Sequence, residues 1–182
     1  VRMALTELGT TFIKLGQILS TRSDLIGPDL AEELSKLQSS TPPDPVEQIN
    51  ALIAEELGSA PNQVFQDFDP VPFASASIGQ VHKATLPTGE LVAVKVQYPK
   101  IVNAIKSDFK NLEQLKKLIT LIFPDTPDVD NYLEELKRTL LEECDYKKEA
   151  NNILWFRENL MNKNSGIYIP NVYPAFSSSA AV

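Results

Sequence analysis

The sequence predicts an α+β protein in which an all-helical amino-terminal part precedes a small antiparallel sheet and further long helices. Three observations support this prediction. Apolar residues recur every three or four positions through residues 1–65, which is the period of a helix that buries one face. Residues 81–97 instead alternate apolar with polar or small side chains, as strands do. Beyond residue 100 the helical period returns over two long stretches. We therefore expect one domain at 1–65 and a second at 66–182.

The composition limits the classes of function. With 182 residues, 43% of them hydrophobic and 23% charged, the chain can bury a core. A net charge of -7 argues against a nucleic-acid partner, because proteins that bind phosphate backbones usually present a basic face. No apolar run reaches the ~20 residues that cross a bilayer, so we predict no transmembrane segment. The chain begins at Val1 without a start methionine or signal peptide, and we interpret it as part of a longer protein.

The single cysteine and the single histidine are both predicted to be structural. Cys144 alone excludes an internal disulfide, and together with His82 it leaves no zinc site. Cys144 continues an apolar helical stripe, so core packing is its predicted role. His82 falls on a strand, where we expect it to pack or to lie at the rim rather than to catalyse.

The helices of the amino-terminal part are predicted from apolar spacing and from their start and stop residues. The first is expected to run to about Ser20 as one continuous helix, and Pro28 opens a second that extends to residue 37. A third covers 46–57 and is stopped by Gly58, and Pro61 starts one more turn.

Three antiparallel strands are expected next, at 68–76, 81–86 and 91–97, with a hairpin turn between the last two. On the third strand a period of two places Lys95 beside Ala93 and Gln97, opposite a face of three valines. Taken alone, this pattern is typical of a half-buried edge strand whose lysine reaches water. The alternative is a lysine that holds nucleotide phosphates and is itself held by a helix glutamate. That alternative requires a phosphate-binding turn before the strand and a carboxylate on a helix after it.

Two helices are predicted after the sheet, one at 101–123 and a longer one from about Asp128 onward. At about 100° per residue, Glu143 and Glu149 lie about 120° apart on one continuous helix. One helix could therefore offer carboxylates to two different cations. Glu142 points only about 20° away from Glu149, so spacing alone does not choose between Glu142 and Glu143.

Four motifs in this order resemble the UbiB family of atypical protein-kinase-like proteins, also called aarF-domain-containing kinases. They are a K-x-G-Q helix, an alanine-rich loop, a lysine strand and an E-x-D helix, found at Lys14-Leu15-Gly16-Gln17, residues 74–82, Val92-Ala93-Val94-Lys95 and Glu143-Cys144-Asp145-Tyr146 followed by Glu149-Ala150. Each motif is weak by itself. Together they cover nearly the whole chain.

The resemblance implies a protein-kinase-like amino-terminal lobe, with a small antiparallel sheet and a long C-type helix, preceded by an all-helical K-x-G-Q extension. It implies that Lys95 contacts nucleotide phosphates and pairs with Glu149, while Lys14 pairs with Glu143. These four are the predicted catalytic residues.

The resemblance also implies which residues bind the nucleotide, ATP or ADP. They belong to the alanine-rich loop and the lysine strand, namely Ala74, Ser75, Ala76, Ser77, Gly79, Ala93 and Lys95. Structural roles are implied for Gly16, Gln17 and Asp145.

The alanine-rich loop has a physical consequence of its own. Kinase loops approach phosphates through glycines, which lack a Cβ and adopt positive φ without strain. Here only Gly79 remains, so backbone amides can still face phosphate through a stiffer and bulkier loop. We expect a more selective nucleotide site. The Ser75 hydroxyl either donates to phosphate or faces water.

No catalytic-loop aspartate and asparagine and no D-F-G motif follow Glu149. We therefore expect the ligands of Mg²⁺ to come mainly from outside this chain, and the chain alone to be inactive. The resemblance implies a full-length ATP-dependent kinase or ATPase that supports ubiquinone or other isoprenoid-quinone biosynthesis, with quinone-biosynthesis proteins or a membrane surface as partners.

Two other functions stay open at this point. One is a non-catalytic, pseudokinase-like module that binds a protein or a lipid-associated complex. The other is a small-molecule kinase with the same lobe, which the K-x-G-Q unit disfavours. Bacterial cytoplasm at the inner membrane, mitochondrion and plastid are all compatible with the composition.

Overall fold

The computed structural model describes residues 2–8, 10–21, 23–37, 43–122, 130–160 and 166–181. The chain divides into two compact units: Val1–Thr41 with Lys100–Leu141, and Pro42–Pro99 with Glu142–Val182. The boundary predicted near residue 65 marks where helices give way to strands along the sequence, whereas each compact unit joins an early stretch to a later one. The domain boundary at 65 stays a prediction.

The described elements follow one another as helices, a sheet and helices. Before the sheet lie α1 (Arg2–Leu8), α2 (Thr10–Ser20), α3 (Ser23–Ile26), α4 (Pro28–Ser35), α5 (Val46–Leu57) and α6 (Pro61–Val64). The strands are β1 (Asp67–Phe68), β2 (Ala74–Ser75), β3 (Gly79–Thr85) and β4 (Leu91–Gln97). After them come α7 (Ile101–Ile122), α8 (Asp130–Glu143), α9 (Tyr146–Leu160) and a 3₁₀ turn at Pro174–Phe176.

Most of the predicted helix ends are confirmed. Helix α2 ends at Ser20, α4 starts with Pro28 in its first turn, and α5 spans the predicted residues. Gly58 stops α5 at φ 77°, a left-handed conformation that costs glycine little. The single helix predicted up to Ser20 is instead two helices, α1 and α2.

In the first unit, α2 packs closely against α4. Ile13, Leu34 and Leu37 are buried there. Gly16 allows this approach, since a Cβ at Gly16 would collide with the Leu37 side chain. Gln17 Nε2 donates to the Leu37 carbonyl oxygen at 3.1 Å, which satisfies a backbone acceptor just beyond the end of α4. Gly16 and Gln17 therefore have structural contacts that join two helices.

In the second unit, β3 is the central strand of an antiparallel sheet. It pairs with β4 along its full length, from Gly79 opposite Gln97 to Thr85 opposite Leu91. On its other edge it pairs with both short strands, β1 near Thr85 and β2 near Val81. The three-stranded sheet predicted from the sequence is therefore present, with its first strand interrupted between β1 and β2.

The valine face of β4 forms the core of the second unit, as its alternation predicts. Val94 and Val96 are buried there. They share the core with α5 and the neighbouring strand through Ile49, Ile53, Phe65, Ala84 and Leu86. Lys95 consequently lies on the opposite face of the sheet, away from this core.

The single long helix predicted from about Asp128 is wrong, because α8 ends at Glu143 and α9 begins at Tyr146. Asp145 starts the new helix. Its Oδ1 accepts the backbone N–H of Lys148 at 3.1 Å, so it acts as a side-chain cap of α9. The 120° angle between Glu143 and Glu149 assumed one continuous helix and does not apply. Residues 123–129, which include the predicted helix start, lie outside the described residues.

We predict that Asp145→Ala lowers the free energy of unfolding by about 1 kcal/mol, because it removes the side-chain acceptor of the α9 cap. Asp145→Asn is the matched control and should stay close to the wild type, since an asparagine oxygen also caps helices. Urea unfolding followed by circular dichroism measures both variants. Equal stability of Asp145→Ala and the wild type would contradict the capping role.

Candidate functional site

An ion pair between Lys95 and Glu149 forms the centre of the candidate site. Lys95 lies on β4 and Glu149 in the first turn of α9. The Lys95 ammonium donates to Glu149 Oε1 at 3.0 Å and to Oε2 at 2.8 Å. The lysine side chain is 28% exposed and the glutamate side chain 40%, so the pair can still be reached by a ligand. An ammonium has three N–H groups, and one is left over for another acceptor.

Tyr146 completes the surroundings of this ion pair. Its side chain is 0% exposed, and Lys95 Nζ lies 4.6 Å from the centre of its ring. At this distance the face of an aromatic ring attracts a cation. The sequence analysis missed Tyr146 as a site residue. Its spacing of three from Glu149 places both on one face of α9, and this signal becomes visible once the helix is known to begin at Tyr146.

Gln97 connects the residues between α8 and α9 to β4, the strand that carries Lys95, through hydrogen bonds. Its side-chain amide donates to the Cys144 carbonyl oxygen, and also to that of Ser179 at 3.1 Å. The carbonyls at a helix end lack partners within the helix, and Gln97 supplies one. Because Gln97 lies two residues after Lys95, it shares the same face of β4. It therefore holds the start of α9 close to the lysine.

The alanine-rich loop forms a tight connection between β2 and β3. Ala76 N–H donates to the Gly79 carbonyl at 2.8 Å, and Tyr98 N–H donates to the Ile78 carbonyl at 3.0 Å. Ser77 and Ile78 are buried. A Cβ at Gly79 would collide with the Val96 carbonyl oxygen and lie 2.8 Å from the Tyr146 hydroxyl. Gly79 is therefore required for space rather than for positive φ, since its φ is not positive.

A cavity of about 380 Å³ opens beside the ion pair in the same compact unit. Its wall combines apolar strand residues with the two charges and includes Val81, Ala93, Lys95, Glu149, Ile153 and Tyr173. Small-molecule sites are typically cavities of roughly 300–1,000 Å³ with mostly apolar walls and a few polar groups. This cavity fits that description, and it contains two of the predicted nucleotide contacts, Ala93 and Lys95.

His82 is packed, as predicted. Its side chain is 0% exposed and stacks on Phe68 with ring centres 4.9 Å apart. The Asp44 N–H donates to Gln80 Oε1 at 2.8 Å, which orients the Gln80 amide so that its Nε2 faces His82 Nε2 at 2.9 Å. His82 Nδ1 lies 2.8 Å from the Asp69 carbonyl oxygen, so the contacts assign the proton to Nδ1. Both ring nitrogens are occupied by structural partners.

Lys14 and Glu143 belong to different compact units. Their pairing, and the catalytic roles of all four predicted residues, stay predictions. Among the residues that the structure describes, no three acidic, histidine or cysteine side chains converge as a metal site would require. No helix in the same part of the chain is long and apolar enough to span a bilayer.

Comparisons with known proteins agree with the motifs. The ABC1 atypical kinase-like domain family matches residues 36–182. The chain is 42% identical over 98% of its length to the uncharacterized protein sll1770 of Synechocystis. It is 40% identical over 93% of its length to a probable protein kinase UbiB of Marinobacter nauticus. The chain covers 31% of each of these relatives, and so spans about a third of their length.

A solved structure has a similar fold. The complex of Rv3197 with erythromycin from Mycobacterium tuberculosis matches with a TM-score of 0.65 and 31% identity. The match covers 92% of this chain and 41% of that chain. The resemblance to UbiB proteins and the kinase-like α+β fold predicted from the sequence are thereby confirmed.

Cys144 is buried in the core, as predicted. This burial changes the pKa of its thiol. Burial raises the pKa of Cys144 from 9.0 to about 11, and Glu143 adds to the increase while Lys95 opposes it. The unfolded chain therefore loses the thiol proton near pH 9, whereas the folded protein keeps it to about pH 11. Below pH 9 the thiol is protonated in both states and has no effect.

We predict that the free energy of unfolding falls by about 1–3 kcal/mol more in the wild type than in Cys144→Ala between pH 9 and 11. Urea unfolding of both proteins at pH 8, 10 and 11 measures the difference. The alanine variant will be less stable at every pH because of the cavity it leaves, so the comparison uses the slopes. Parallel pH dependences would contradict the raised pKa.

Proposed function

Because the chain belongs to the ABC1 atypical kinase-like family, we propose that its second compact unit is the nucleotide-binding lobe of an atypical kinase or ATPase. The observation that carries the proposal is the Lys95–Glu149 ion pair, 2.8 Å long, on the wall of a cavity of about 380 Å³. A strand lysine held by a helix glutamate beside a cavity of this size is the arrangement that kinases use for nucleotide phosphates.

Each group of the site has a proposed task. Glu149 fixes the Lys95 ammonium, whose third N–H donates to a phosphate oxygen of ATP or ADP. Ala93 and Val81 form an apolar wall for the base. Ala74, Ser75, Ala76, Ser77 and Gly79 bring the loop backbone towards the phosphates. Because the whole chain carries a net charge of -7, attraction of an anionic nucleotide depends on this local cation.

The described residues do not fit a protein-held Mg²⁺, since no cluster of three ligands is found among them and Glu149 is engaged by Lys95. We therefore assign no step to the metal within these residues, and place its protein ligands in the remainder of the longer protein. The groups that would transfer a phosphoryl group are placed there as well.

For the full-length protein we propose an ATP-dependent reaction that supports isoprenoid-quinone biosynthesis. The support is the group of relatives named probable protein kinase UbiB, which are 37–40% identical to this chain. Quinone-biosynthesis proteins and a membrane surface are the corresponding proposed partners.

A non-catalytic interaction module is the second candidate. It is favoured by two exposed aromatic residues on α9, Trp155 and Phe156, which are 58% and 48% exposed, because large exposed apolar side chains often mark contact surfaces. If the protein acts only through this surface, the cavity does not bind nucleotide. The titration described next therefore separates the two candidates.

We predict that the 182-residue chain binds ADP or ATP without hydrolysing it, and that Lys95→Met weakens binding by about tenfold or more, the loss expected for a hydrogen bond to a charged group. Lys83→Met is the matched control. It removes an exposed cation from the neighbouring strand and should change affinity less than twofold. Isothermal titration calorimetry measures binding, and phosphate release measures turnover. Equal affinities of Lys95→Met and the wild type, or no binding by either, would reject the proposal.

The loop alanines are proposed to make the site selective. We predict that the double substitution Ala74→Gly and Ala76→Gly loosens the loop, and changes both the affinity for nucleotide and the preference between ADP and ATP by a factor of about three or more. The same calorimetric titrations with the two nucleotides provide the measurement. If affinity and preference both stay unchanged, the alanines do not tune the site.

A further inference from the structure

Two tyrosine hydroxyls are buried beside the alanine-rich loop, those of Tyr98 and Tyr146, which are 7% and 0% exposed. The Tyr146 hydroxyl has no hydrogen-bond partner among the described residues, whereas the Tyr98 side chain interacts with Ser75. A buried hydroxyl that lacks a partner costs folding free energy, and most buried polar groups in native proteins are paired. The Tyr146 ring lies against Lys95, which lines the cavity, so its unpaired hydroxyl points to a partner that arrives with the ligand.

The two hydroxyls differ in what surrounds them. The ring of Tyr146 lies against the Lys95 ammonium at 4.6 Å, and its hydroxyl is directed at Gly79, the last residue of the loop turn. Tyr98 holds the loop through its backbone N–H, which donates to the Ile78 carbonyl at 3.0 Å. The Tyr98 side chain interacts with Ser75 of the same loop. Of the two tyrosines, Tyr146 is the one whose ring contacts the ion pair.

The chemistry of these groups selects a class of ligand. Burial raises the pKa of Tyr146, and the nearby Glu149 carboxylate raises it further, so the phenol stays protonated and can donate. The free N–H of Lys95 is also a donor. An ionised phosphate group offers only acceptors, and one phosphate chain can accept from both. The base and the sugar carry no negative charge, so they form weaker hydrogen bonds with these donors than phosphate does.

We propose that Tyr146 is a phosphate-binding residue of this site, whose hydroxyl donates to an oxygen of the nucleotide's diphosphate while its ring positions the Lys95 ammonium. The proposal rests on the proposed function and deepens it, because it names the side chain that recognises phosphate together with Lys95. Since Gly79 covers the hydroxyl, the loop turn must move when the phosphate enters. The hydroxyl then gains a partner, whereas it has none among the described residues.

The test compares Tyr146→Phe with Tyr98→Phe in the 182-residue chain. Each change removes one buried hydroxyl and keeps the ring. Because the Tyr146 hydroxyl has no partner among the described residues, Tyr146→Phe should unfold at a urea concentration equal to or higher than that of the wild type, whereas Tyr98→Phe also loses the interaction with Ser75 and should unfold at an equal or slightly lower concentration. Tyr146→Phe should weaken ADP binding about tenfold, with little effect on adenosine. Tyr98→Phe should leave the affinities for ADP and adenosine unchanged. Calorimetry with ADP and adenosine, and urea unfolding without ligand, provide the measurements.

Each result decides the proposal. Normal ADP affinity in Tyr146→Phe overturns it while leaving the proposed function intact, and an equal loss for adenosine overturns phosphate recognition. A lower unfolding midpoint in Tyr146→Phe without ligand would show that the hydroxyl already has a partner, which also overturns it. If the wild type binds no ADP, the proposed function fails and this inference fails with it.

Discussion

The second compact unit depends on one electrostatic constraint: a strand ammonium and a helix carboxylate must meet where solvent only partly screens them. Two side chains on the same face of β4 bring the two charges together. Lys95 supplies the charge, and Gln97, two residues later, donates to the Cys144 carbonyl at the end of α8. Asp145 then starts α9, so that Glu149 arrives one turn later within 2.8 Å of the ammonium. The helix break is therefore part of the site, since it sets where α9 begins.

The alanine-rich loop is held by three hydrogen bonds, and these limit how far it can move to bind a ligand. Ala76 closes the turn onto Gly79, Tyr98 holds Ile78, and Gln80 receives the Asp44 N–H. Replacing glycine by alanine stiffens a loop from within by restricting φ and ψ. The hydrogen bonds restrict the same loop from outside. The alanines and the hydrogen bonds both restrict the motion of the loop. A ligand that displaces the turn must therefore compensate for the hydrogen bonds that are broken.

Apolar spacing of two residues was sufficient to predict β3 and β4 and the core face of β4, and spacing of three to four residues was sufficient to predict the bounds of α5. These elements bury one face continuously, so that the apolar spacing is unambiguous. The break between α8 and α9 was not predictable in this way, because Cys144 continues the apolar stripe through it. A capping box would have marked the new start with an acid or amide three residues after the cap, but Lys148 occupies that position. Tyr146 was missed for the same reason.

The contact between Gly79 and Tyr146 explains why an otherwise alanine-rich loop keeps one glycine. The usual argument gives loop glycines a conformational role, yet the φ of Gly79 is one that other residues adopt. Its missing Cβ is what matters, since any side chain would meet the Val96 carbonyl and the Tyr146 hydroxyl. Displacing Tyr146 would remove the ring that lies against Lys95. A glycine in the loop and a cation on the next strand are thus linked through one aromatic ring. The loop can lose its flexible glycines and still keep this one, because the steric requirement at Gly79 is independent of the requirement for flexibility.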